Sequence, residues 1–421
     1  MRHQRRRWVW AAAAALFIPL VAACGQTSGG SGGAGATINI GVEGPMTGQY
    51  ADVGAGFWDG AYAAAREINA EGGLLGGKLN VIQADDVSDP SAAIPVINNL
   101  IDVDHIVALD GPNSTVLPAI EPILDAAKIP TMFQGGSTHF DSNTDQWVWR
   151  PSPSDSQLGV AMAAYAISKG YKKAALLLIS ASSAQTLGGV IKSTYQKNGG
   201  TIVDTETIQP GETSYRSEVQ SIISAQPDVI FTQVDAISAA PLFTDFAQLD
   251  NLAIPFIGSD LTAGSDFIKA ITPAIAQKAL VSIQGSTSAG PGTPPFVKYY
   301  DQVYSGAPVS GANYSYDAVM ELAMAIEKAG STDPAKIVAA IPEVSNPPGT
   351  DVSDWATALA AIKAGTKVHF VGAGGPAGYN SNHNSVGTFD AFQSNATGAL
   401  SVIGTVTAPQ MLAANNGTLG S

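Results

Sequence analysis

One cysteine, Cys24, stands in the 421 residues, so the chain cannot form a disulfide within itself. Charge is sparse at 13%, and its basic part is the scarcer: 21 Lys and Arg face 35 Asp and Glu, for a formal net charge of −14. That balance argues against nucleic acid as a partner; solubility outside the cell accounts for it, so it carries no ligand information. After the first twenty residues no run approaches the eighteen or so apolar residues of a spanning helix. The five histidines, His3, His105, His139, His369 and His383, include no pair at i, i+4, and metal-ligand spacing is absent. No G-x-S-x-G elbow occurs, which leaves a serine hydrolase without sequence support.

Two glycine-rich stretches test the nucleotide chemistries. Gly72 to Leu79 places Gly77-Lys78 at the spacing of a phosphate loop, but Leu79 stands where a hydroxyl is required, and the order is helix then strand instead of the reverse. Gly372-Ala373-Gly374-Gly375-Pro376-Ala377 follows the strand-like Lys367 to Val371 and fits a short dinucleotide fingerprint. The Pro, Gly and Asn residues from Pro376 to Asn384 cannot build the helix that should follow, so a long turn is expected. No cofactor, metal or catalytic residue is therefore expected.

What the sequence does hold begins at its N-terminus. Arg2, Arg5, Arg6 and Arg7 precede a nearly unbroken apolar run from Trp8 to Leu20, too short to span a membrane. Val21-Ala22-Ala23-Cys24 then resembles the box that bacterial lipoprotein signal peptidase cleaves after lipidation of the cysteine. Residues 1–23 are expected to be a lipoprotein signal peptide, Cys24 the lipidation site, and residues 24–36, rich in Gly and Ser, a flexible tether.

The body of about 370 residues suits two domains. Short apolar or β-branched runs (37–42, 79–83, 106–109, 174–179, 201–203, 229–231, 256–257) alternate with helix-length segments such as 56–69, where Phe57, Ala61, Ala64, Ala65 and Ile68 share one face. Repeated βαβ units imply parallel sheets covered by helices on both faces, an α/β fold. The alternation restarts after Pro151-Ser152-Pro153-Ser154. Crossings between two lobes are expected there, near Gln284-Gly285 and near Gly365. The boundaries are thus 37–153 with 285–364 for the first lobe, 154–284 with 365–408 for the second, and 409–421 as a tail. In such folds ligands sit beyond the carboxyl ends of strands, which directs attention to the loops after the third and fourth strands.

Several stretches together resemble the type I periplasmic binding proteins of the leucine/isoleucine/valine-binding kind, the solute-binding components of branched-chain amino acid ABC importers. They are Ile40 to Gly48, Asp59-Gly60-Ala61, Glu67 to Leu79, Ala84 to Pro90, Arg150 to Asp155, Pro255 to Asp260 and Gly387 to Asp390. The resemblance implies a two-lobed clamp with several hinge crossings that closes on a solute. It implies that Asn113, Ser114 and Thr115 form a loop receiving a ligand carboxylate at a helix N-terminus, where unpaired amides favour an anion. It further implies that Gly135 and Ser137 add contacts from the next loop, and that Asp260 pairs with the ligand's ammonium group. Asn113 and Asp260 also have the residue types of plain helix caps.

Two departures weigh against a leucine-like ligand. Ser180 to Ala184 replaces an aromatic wall, and Asp235 or Ala236 stands at another position that is often aromatic. Asp235 is a candidate contact for a ligand with extra donors or positive charge, while Trp58 and Tyr50 are candidates for apolar cover, with core packing the competing role of Trp58. The expected partners are a small amino-acid-like molecule, an ABC importer permease and the membrane through the lipid on Cys24, for a monomeric, extracytoplasmic, non-enzymatic protein. A ligand sensor of the same shape is the alternative; a secreted hydrolase is a distant third.

Overall fold

The structure, a computed structural model, describes residues 35–48, 51–250, 252–286, 290–309 and 311–415. The signal segment, Cys24, most of the tether, Tyr50 and the end of the tail lie outside the described residues. Two sheets organise the rest. Strands β1 (Thr37–Gly44), β2 (Lys78–Asp85), β3 (Ala108–Asp110), β4 (Thr131–Met132) and β5 (Val148–Trp149) form an all-parallel sheet in the order β2-β1-β3-β4-β5.

The second sheet takes β6 (Lys173–Ile179), β7 (Thr201–Ile208), β8 (Val229–Gln233), β9 (Phe256–Gly258) and β10 (Leu280–Gly285). A separate parallel pair, β11 (Thr350–Val352) and β12 (Val368–Phe370), belongs to neither large sheet. Strands β13 (Phe389–Ser394) and β14 (Leu400–Val406) complete the second sheet, ordered β14-β13-β10-β9-β8-β6-β7. It is parallel from β10 to β7, and β13 and β14 close its other edge as an antiparallel hairpin.

Sequence explains the placement of the strands. In β6 the run Ala174 to Ile179 is buried on both faces, as a central parallel strand requires. At the edge, β7 alternates in polarity and leaves only Ile208 fully buried. Asp89 caps the helix Pro90–Asp102, accepting the Ser91 amide at 2.8 Å, with proline at the first turn as the sequence suggested.

The first sheet is covered on both faces. One apolar cluster joins it to the helices Ala51–Ala70 and Ala312–Ala329; a smaller one lies under Pro90–Asp102 and Leu117–Ala127. The two long helices approach closely at Gly60, where a Cβ would run into the Ala312 carbonyl. A third cluster surrounds the second sheet. The molecule is thus a two-lobed α/β clamp.

Three segments pass between the lobes side by side. Arg150 bridges to Asn384 in parallel, the Ser385 hydroxyl donates to the Pro151 carbonyl at 2.6 Å, and the Ser286 amide donates to the Thr388 carbonyl at 2.8 Å. Beyond Gly365 the chain still packs in the first lobe's core: Val368, Phe370, Ala373 and Tyr379 join that cluster because β12 pairs with β11 beside Trp355. Val386 and Phe389 are the first residues after that to enter the second lobe's core.

The glycine loops show what they hold. Residues 371–388 contain no helix, and the amides of Ala373 and Gly374 both donate to the Asp317 carboxylate at 2.7 Å. A protein carboxylate fills the anion cradle that a dinucleotide fingerprint would offer to phosphate. Gly72 to Gly77 forms a tight turn closed by a Leu74–Gly77 bridge.

Candidate functional site

Between the lobes lies a cavity of about 290 Å³. Phe57, Gln134, Gly136 and Tyr314 reach it from the first lobe, Asp155, Leu158, Asp260 and Phe389 from the second, and Ser152 and Gln284 from the crossings. It sits at the carboxyl ends of strands in both sheets, where an open α/β fold leaves loops free to meet a ligand. The volume suits a small molecule.

Gln134 follows β4. Its amide nitrogen donates to Asp110 at 2.8 Å and to the Tyr314 carbonyl at 3.4 Å, which leaves its side-chain oxygen as an acceptor. Asp155 opens the helix Asp155–Ser168, its amide donating to the Gly136 carbonyl at 2.7 Å. Its carboxylate covers the Cα of Gly136 so closely that a Cβ there would collide with it. Asp260 begins the short turn Asp260–Ala263 after β9.

Burial raises the Asp155 pKa to about 7, with the Asp260 charge adding to the rise and Arg150 opposing it. Burial in the cleft also raises Asp260, against the opposing pull of the Leu261 amide, although its side chain remains open to water in the cleft itself. Behind them sits Arg150, only 1% exposed. It bonds Asp141 through one terminal nitrogen, the Ser137 carbonyl at 3.0 Å through the other and the Asn384 side chain at 2.8 Å through Nε. The Ser156 hydroxyl also donates to Asp141.

Of the residues singled out from sequence, Asp260 lines the cavity, and the others sit around or away from it. Asn113 accepts the amides of Thr115 (2.8 Å) and Val116 (3.2 Å), closing the turn that leads into the helix Leu117–Ala127; Thr115 is exposed. Ser114 accepts the Ser137 amide at 3.0 Å and packs where a Cβ on Gly135 would go, so the two predicted loops meet but mainly grip each other. Ser137 in turn caps the Thr138–Ser142 turn. Asp235 caps the helix Ala236–Leu249, taking the Ser238 amide at 2.8 Å and its hydroxyl at 3.0 Å. Trp58 stacks on Tyr62 and packs against the first core; its neighbour Phe57 is the one in the cavity wall.

Missed were Asp155, Gln134 and Tyr314. Asp155 ended a stretch already marked as distinctive, and a carboxylate directly after a two-proline crossing was the signal available. Tyr314 lies 180 residues from Gln134 in sequence, and no local pattern joins them.

Comparisons with known proteins agree with this architecture. The model of a family described as periplasmic binding protein matches residues 37–399. The chain is 28% identical over 308 residues to an amino acid binding protein of Pseudomonas aeruginosa, covering 72% of this chain and 81% of that one. It is likewise 28% identical over 335 residues to Leu/Ile/Val-binding protein homolog 1 of Brucella suis, covering 78% and 88%. Among solved structures, a leucine binding protein from Thermotoga maritima superposes with a TM-score of 0.69 at 21% identity, covering 88% of this chain and 99% of that one.

Proposed function

Because the chain belongs to the periplasmic binding protein family, we propose that it captures a small polar solute, an amino acid or a related amine or amide, and delivers it to an ABC importer. The observation that carries this reading is the cavity between the lobes, walled from both sides and bearing the Asp260 carboxylate. Asp260 holds the ligand's ammonium group. A carboxylate in a closing cleft is costly to strip of water without such a partner. Gln134 and the backbone around Gly136 act from the other side, with Ser114, Gly135 and Ser137 shaping that loop.

Closure follows from contacts that exist only when both lobes touch the solute, and the three adjacent crossings act as the hinge. The lobes are residues 37–153 with 286–384 and residues 154–285 with 385–408. The protein works outside the cytoplasm as a monomer, tethered by a lipid on Cys24 through residues 25–36, and performs no covalent step. The names of the amino acid and Leu/Ile/Val-binding relatives support the ligand class; the missing aromatic wall at 180–184 speaks against leucine itself.

A thermal-shift screen of amino acids, amines and amides, followed by calorimetry, tests the capture. Uptake of the identified solute by cells lacking the protein tests delivery. Saturable binding with lost uptake supports the reading. Binding with unchanged uptake makes the clamp a sensor, and turnover of the bound solute makes it an enzyme.

A further inference from the structure

The cavity between the lobes carries charge of one sign. Asp155 and Asp260 both line it, and no lysine, arginine or histidine is among the described residues that do. Neither carboxylate has an ion-pair partner among the described residues. The cation behind them, Arg150, is buried and spent on Asp141, the Ser137 carbonyl and Asn384. Two carboxylates that feel each other in a cleft can both stay ionised only when positive charge is brought between them.

At the opposite pole, where a zwitterion would place its carboxylate, several donors are already bonded within the protein. The Thr115 and Val116 amides are taken by Asn113, and the Ser137 amide by Ser114. The Cα face of Gly136 is covered by the Asp155 carboxylate. An incoming ligand carboxylate would meet the like charge of Asp155 there, with the unpartnered Ser152 hydroxyl as a remaining neutral donor in the wall. Gln134 presents an acceptor oxygen there, and three aromatic rings, Phe57, Tyr314 and Phe389, stand in the wall beside the aliphatic Val53, Pro153 and Leu158. Ring faces attract cations and do nothing for anions.

We propose that the solute is a small organic cation without a free carboxylate, a diamine, guanidino-amine or quaternary amine, held between Asp155 and Asp260. This rests on reading the cavity as the solute site and narrows the ligand class given above. Asp260 serves as the ammonium partner already assigned, and Asp155 becomes the second determinant of specificity, selecting net positive charge.

The test is calorimetric titration of the full-length protein in detergent with putrescine, agmatine and choline as cationic probes, leucine as a zwitterion and benzoate as an anion, repeated on D155N and D260N. Both variants remove charge without changing side-chain shape, and melting curves establish that they fold. The expected result is saturable binding of at least one cation, weakened tenfold or more by each variant and by high salt, with no binding of leucine or benzoate. Leucine or benzoate bound more tightly than every cation overturns the charge assignment and leaves the cavity as a solute site. A cation bound equally well by D155N overturns the role of Asp155. Absence of saturable binding by any probe counts against this inference and against solute capture together.

Discussion

Asp110, the last residue of β3, is fully buried, and its neighbours indicate that it holds a proton in the folded protein. Its Oδ1 accepts from Gln134 at 2.8 Å, while Oδ2 faces the Ser315 hydroxyl. That hydroxyl has one hydrogen, and the Phe57 carbonyl claims it at 2.7 Å. A proton on Asp110 donated to the Ser315 oxygen satisfies every group. Burial pushes the carboxyl from 3.8 to about 7, against the opposing pull of the Gln134 side chain and the Gly111 amide.

Between those two values the folded state binds a proton that the unfolded chain has lost, so stability falls as pH rises from about 4 to about 7 and levels off above. The whole displacement corresponds to about 4 kcal/mol. In D110N the carbonyl faces Gln134 and the NH2 faces Ser315, with no charge to bury. Urea unfolding followed by circular dichroism at several pH values from 4.5 to 8.5 measures the effect. Other buried carboxyls, such as Glu321 at about 7, titrate in both proteins and cancel in the difference. The stability of D110N relative to wild type is expected to rise by several kcal/mol across that range. A difference that does not change with pH would refute the reasoning.

Three further outcomes follow from the packing. R150M strands Asp141 and the Ser137 carbonyl in the hinge and is expected to cost about 3 kcal/mol in urea unfolding, with the R150M/D141N double variant losing less than the sum of the single ones. G60A forces the helices Ala51–Ala70 and Ala312–Ala329 apart at the Ala312 carbonyl, lowering stability by about 1–3 kcal/mol in the same assay. G136A displaces the Asp155 side chain from its seat, so a solute held by Asp155 should bind at least tenfold more weakly in calorimetry with little change in far-UV circular dichroism.

The long, wholly apolar strands could be read directly from sequence because burial on both faces leaves a run such as Ala174 to Ile179 that nothing else explains. Strands of two residues, β4 and β5, were not legible, since their pairing is set by the neighbours β3 and Trp147 to Trp149 rather than by their own pattern. The edge strand β14 escaped for a related reason: a strand at a sheet edge needs only one buried face, and its Val402 and Ile403 remain exposed. At the site, Asp260 was named through the resemblance that Pro255 to Asp260 carries, and the structure places it in the cavity wall. Asn113 and Asp235 have side chains suited equally to local backbone bonds and to ligands, and only the structure shows that they accept the amides of Thr115, Val116 and Ser238. Asp155 and Tyr314 line one cavity from different lobes, a pairing that no sequence window spans.

The central claim, that this clamp exists to grip a solute between its lobes, is tested most directly by a crystal structure of the protein with the tightest ligand from the screen. The account predicts ligand density within hydrogen-bonding reach of Asp260 and of groups on the first lobe, Gln134 or Gly136, at once. Ligand bound to one lobe alone, or on the outer surface with the cavity empty, would contradict it.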